Sequence, residues 1–211
     1  MVAQVTEQCR TLTTDESKQI ICMSGVYNSL ANAYSSRSYA LAYSPSNDAD
    51  SICAEEPFEY QERCYIELTN GTVRNAGLSF ERSIGRIRSL PAHARSNVLR
   101  AYLDDEIRHE MQEPSAEKAA AVCDYFSDPE EHIDCVSGAL RAFVYMSAAG
   151  SEELATLLYS FCLLQEDVTV QTACAGKTRA HLASNLSADD IVRICTARMT
   201  YEQCVAPADS L

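Results

Sequence analysis

An all-α fold of antiparallel helical hairpins, stacked as a short α-solenoid of about six αα-repeats, is predicted by three features of this sequence. The first is a cysteine pair that recurs five times: Cys9/Cys22, Cys53/Cys64, Cys123/Cys135, Cys162/Cys174 and Cys195/Cys204. The second is helical periodicity leading into the first cysteine of a pair, as in AEKAAAVC, EELATLLYSFC and SADDIVRIC, where apolar residues return every three or four positions. The third is a set of helix-start signals between the two cysteines.

Taken in chain order, the first pair brackets Thr14-Asp15-Glu16, a capping residue followed by acids in the first turn. The second pair brackets Pro57. The third pair brackets the fullest signal, Asp128-Pro129-Glu130-Glu131: an N-cap, proline at the first helical position, then two acids that complement the helix dipole. Thr200-Tyr201-Glu202 repeats the device in the last unit. Each second cysteine is then placed one to two turns into a new helix. With the first cysteine at the end of one helix and the second near the start of the next, the pair faces itself across an antiparallel hairpin. That geometry falls within the roughly 4.4–6.8 Å Cα separation a disulfide needs. Closing a loop of about a dozen residues contributes on the order of 3 kcal/mol per bridge in the chain-entropy model.

The second cysteines lie at 22, 64, 135, 174 and 204, so one step is about twice the others. A Cys-free repeat over about residues 74–112 fills the gap, with Pro91 at its turn. The expected organisation is one domain over residues 1–211. Each hairpin is too small to bury its own apolar face, so stacking supplies the core and the bridges supplement it. Gly25, Gly138 and Gly176 follow the second cysteines closely. Since glycine costs a helix about 1 kcal/mol relative to alanine, they point to close helix packing.

All ten cysteines pair in this scheme, and no CxxC brings two thiolates onto one small ion. Structural disulfides imply an oxidising compartment. The expected location is therefore extracytoplasmic, periplasmic or secreted, with a signal peptide already removed. No run of eighteen apolar residues exists, so direct membrane insertion is not expected. The net charge of −13 argues against nucleic acid as a partner.

Catalytic signatures are absent: GxGxxG, the P-loop, HExxH and GxSxG do not occur. Glu106 and His109 have the i, i+3 spacing of di-iron bundles, but no second Glu-x-x-His exists. The acidic clusters Glu55, Glu56, Glu59, Glu62 and Asp104, Asp105, Glu106, Glu110 lack calcium-loop spacing and read as charged helix surface. Asn70-Gly71-Thr72 and Asn185-Leu186-Ser187 match the glycosylation sequon. No cofactor or metal site is expected.

Two features point to a protein partner. Seven of the fourteen arginines lie between 74 and 108, and Arg82 and Arg86 share a helix face. Tyr27 and Tyr34 lie on one stripe, and Tyr39 and Tyr43 are one turn apart. The expected function is a non-enzymatic binding module or a structural subunit of a larger assembly. The alternatives are an enzyme using His109 or His132 among carboxylates, or a thiol-rich metal-handling protein.

Overall fold

The structure, a computed structural model, describes residues 2–36, 49–75, 77–147 and 151–206. Among these the chain is helical, without strands. The helices are α1 (Val2–Leu12), α2 (Glu16–Ser36), α3 (Ala49–Glu55), α4 (Phe58–Asn75), α5 (Phe80–Arg88), α6 (Ala92–Glu110), α7 (Ala116–Cys123), α8 (Pro129–Met146), α9 (Glu152–Leu163), α10 (Val168–Leu182), α11 (Ala188–Thr196) and α12 (Tyr201–Val205). Two compact units result, Met1–Ala101 and Tyr102–Leu211, and the division falls inside α6.

All ten cysteines are in disulfides, and each bridge joins consecutive helices: Cys9–Cys22, Cys53–Cys64, Cys123–Cys135, Cys162–Cys174 and Cys195–Cys204. Their Cα separations are 5.7, 5.5, 5.5, 5.4 and 5.8 Å. The start signals act as their chemistry dictates. Asp128 accepts from the Glu130 and Glu131 amides at 3.0 Å with Pro129 at the first helical position, and Thr200 and Gln203 form a capping box. Asp15 accepts from the Ser17 amide at 3.1 Å. The Cys-free segment also forms helix, Pro91 turn and helix, α5 then α6.

In the first unit α2 packs on α4. Met23, Tyr27 and Ala31, spaced one turn apart on α2, are all buried. At Gly71 of α4 the helices come so close that a Cβ would stand less than 3.0 Å from the Ala31 Cβ. This is the position where absence of a side chain permits the approach. Gly25, by contrast, is exposed and has nothing within 4 Å of where its Cβ would stand, so close packing does not explain it. Gly138 and Gly176 are buried.

In the second unit α7 packs on α9 and α9 on α11, while α8 packs on α10 and α10 on α12. First helices thus neighbour first helices, and second helices neighbour second helices. Phe143 of α8 meets Phe161 of α9 edge to face, with ring centroids 5.5 Å apart.

A polar clamp accompanies four of the five bridges. Gln19, Gln61 and Gln171 each stand three residues before the second cysteine, and each Nε2 donates to two carbonyls of its own turn. Gln19 reaches the Arg10 and Thr13 oxygens (3.1 and 2.6 Å). Gln61 reaches those of Glu56 and Ala54 (2.9 and 3.5 Å), and Gln171 those of Gln165 and Leu163 (2.6 and 3.3 Å). His132 holds the same position in its hairpin, with Nδ1 3.2 Å from the Phe126 oxygen. Turn carbonyls that the helices leave without partners are satisfied in this way.

The clamps also meet the next hairpin. Tyr60 donates its hydroxyl to Gln19 Oε1 at 2.8 Å, Gln203 donates Nε2 to Gln171 Oε1 at 3.0 Å, and His132 Nε2 lies 2.9 Å from Gln165 Oε1. Hairpin-to-hairpin contact is therefore polar at the bridged end and apolar along the helices.

Candidate functional site

The second helices α8 and α10 carry the candidate site. Arg141 and Tyr145 stand one turn apart on α8, and Lys177 and His181 one turn apart on α10, so each pair projects from a single helix face. Packing of α8 on α10 brings the two pairs onto one surface. Tyr145 is 76% exposed, and the Arg108 guanidinium of α6 lies over its ring, 4.5 Å from the centroid, a cation–π contact.

The charge balance of this surface is incomplete. Arg108 bonds to Asp104 at 2.8 Å and to Asp105, so the nearest carboxylates are already engaged. The Arg141 guanidinium, 54% exposed, reaches Asp104 only at 3.7 Å. Lys177 has no ion pair among the described residues. His181 is exposed on α10, but partial desolvation of its ring lowers its affinity for a proton, and the neighbouring Arg141 and Lys177 charges lower it further. Burial pushes the Asp104 carboxyl up, opposed by Arg108 and Arg141. Positive charge thus accumulates on one face of a chain whose net charge is −13.

The residues singled out in the sequence fall elsewhere. Arg82 is exposed on α5 and Arg86 half-buried, with Nη1 donating to Ser89 Oγ at 3.3 Å. Tyr27 is fully buried in the first unit, which takes it away from any partner-facing surface. Tyr34 falls on α2, but its side chain, like Tyr39 and Tyr43, lies outside the described residues. The other arginines of the 74–108 cluster include Arg95, which donates to the Leu90 oxygen, and Arg100, which donates to Ser96 Oγ.

Two acidic residues expected on solvated helix faces are buried instead. Glu56 is 7% exposed and accepts from Arg10 Nη2 at 2.9 Å and from Thr6 Oγ1 at 3.3 Å. Arg10 in turn lies over the Tyr60 ring, 5.6 Å from its centroid. Asp104 is 8% exposed. Glu56 lies in the turn between α3 and α4, where Arg10 pairs it, and Asp104 lies within α6, where Arg108 one turn on pairs it.

His132 is held by turn and neighbour, as described above, and serves the hairpin joint. No group of three or more His, Cys, Asp or Glu suited to a metal ion occurs among the described residues. All ten cysteines are bridged. No helix among the described residues is long and apolar enough to cross a membrane.

The α8–α10 surface was not recognised in the sequence. Its only signal is the pair of i, i+4 spacings, Arg141/Tyr145 and Lys177/His181, each shortly after a second cysteine. Comparison with family models, curated proteins and solved structures finds no match.

Proposed function

We propose that the chain is a non-enzymatic, extracytoplasmic helical-repeat protein that binds another protein, alone or as a subunit of a larger assembly. Its hairpins, five of them bridged and one Cys-free, are read as a short α-solenoid. The observation that carries this reading is the repeated contact pattern of the second unit, first helix on first helix and second on second. Such stacking gives each layer of helices a continuous outer surface, the feature helical-repeat proteins use to bind partners. The five bridges support the compartment, because disulfides persist where the surroundings are oxidising.

The test is thiol trapping in the native cell, combined with fractionation and protein cross-linking. The expected result is a fully oxidised chain outside the cytoplasm, cross-linked to a defined protein partner. A reduced cytoplasmic chain, or a chain without a protein partner that turns over a small substrate, would overturn the reading.

A further inference from the structure

We infer that the surface formed by Arg108, Arg141, Tyr145, Lys177 and His181 is a binding site for an acidic segment of a polypeptide, the partner-facing site of the binding module proposed above and resting on that reading.

Three observations converge on it. The first is sign. The chain carries 30 acidic residues against 17 basic ones and only three lysines, yet one lysine and two arginines meet here. The second is incomplete neutralisation. Asp104 and Asp105 are engaged by Arg108, Arg141 has only the 3.7 Å contact to Asp104, and Lys177 has no ion pair among the described residues. Carboxylates arriving from outside relieve repulsion among these cations instead of competing with an existing pair. An arginine receives a carboxylate through its planar fork, and a lysine as a point charge.

The third observation is form. The cations come from three helices, α6, α8 and α10, and are spread over an outer surface beside an exposed tyrosine ring. One small anion meets only part of that spread. An extended segment with several carboxylates spans it, and Tyr145 adds contact area at low entropy cost. The molecule's overall negative charge repels long uniform polyanions at a distance. A short acidic stretch within a folded or otherwise mixed-charge partner is the chemistry that fits.

The experiment uses the disulfide-intact full chain, isotopically labelled, titrated with a synthetic decaglutamate peptide at low salt. Signals of Arg141, Tyr145, Lys177 and His181 are expected to shift together and saturate. The Arg141→Glu/Lys177→Glu variant should weaken binding by roughly tenfold or more. Arg82→Glu, a charge reversal in the other unit, should leave it unchanged. All three substituted positions are exposed or half-exposed, and a native amide spectrum confirms that each variant folds. Absence of saturable shifts, shifts mapping elsewhere, or binding undiminished in the double variant would each overturn the assignment. So would tighter binding of heparin than of the peptide at the same surface. If the native partner is captured equally by wild type and double variant, this surface falls while the binding-module reading stands.

Discussion

Replacing Gly71 with alanine sets two effects against each other, and the structure decides which wins. Gly71 lies inside α4, where alanine is worth about 1 kcal/mol more than glycine by helix propensity alone. Against this, the new Cβ would sit less than 3.0 Å from the Ala31 Cβ and 3.5 Å from its Cα. Carbon atoms are comfortable at about 3.5–4.0 Å, so α2 and α4 must separate by roughly 1 Å. Neither clashing atom is the end of a flexible chain, and Ala31 lies on the same buried stripe as Met23 and Tyr27. Overpacking of this kind costs about 1–3 kcal/mol, leaving a net loss of up to about 2 kcal/mol once the propensity gain is subtracted. The exchange Gly71→Ala/Ala31→Gly removes the clash and should recover most of the loss, giving a favourable coupling of about 1–3 kcal/mol in a double-mutant cycle. The assay is urea unfolding with disulfides intact, followed by signals from the first unit. A Gly71→Ala variant more stable than wild type, or single variants whose effects simply add, would refute the close-approach argument.

Three further outcomes are expected. Gln171→Leu deletes donors to the Leu163 and Gln165 carbonyls and the acceptor used by Gln203. It should cost about 1–3 kcal/mol and raise amide exchange in the α9–α10 turn and at the start of α12, read by hydrogen exchange. The Tyr159 hydroxyl is buried without a hydrogen-bond partner, and burial pushes it up to about 12. Tyr159→Phe should therefore be neutral or stabilising by up to about 1 kcal/mol in the unfolding assay, and clear destabilisation would reveal a partner. Asp15, Asp167 and Asp190 are held below the ordinary carboxylate value of 3.8. The leading causes are hydrogen bonds from the Ser17 side chain, the Thr169 amide and the Ser187 side chain respectively. Their folded values lie below the unfolded ones, so their contribution is complete above the ordinary value and is lost as pH falls through the depressed ones. Unfolding midpoints should fall below about pH 4, less so for Asp167→Asn, which keeps a capping oxygen without the titration.

The helices and bridges were legible because their determinants are local. Asp128-Pro129-Glu130-Glu131 starts a helix through its own backbone bonds, and a cysteine at each side of a short turn leaves little choice of mate. The Pro91 turn was legible for the same reason. The clamp was also present in the sequence, as Gln19, Gln61, His132 and Gln171 three residues before the second cysteine. Its meaning needed the turn carbonyls, whose positions only the folded hairpin supplies. Glu56 was misread because its burial depends on Arg10, 46 residues away, which no local pattern encodes. Asp104 was misread although Arg108 at i+4 pairs it, because that spacing does not say which helix face a neighbour covers. The glycine reading failed at Gly25 and missed Gly71, since offset from a cysteine does not say which face meets a neighbour. The α8–α10 surface was invisible for the same reason: two ordinary i, i+4 pairs become one site only when their helices pack.

The central claim is that every bridge closes a single hairpin, and peptide mapping without reductant tests it most directly. The chain is alkylated unreduced, digested, and its linked peptides are identified by mass. The account predicts no alkylated cysteine, an intact mass lighter by two hydrogens for each of five bridges, and the pairs 9–22, 53–64, 123–135, 162–174 and 195–204. Alkylated thiols, or linked peptides joining cysteines of different hairpins, would contradict it.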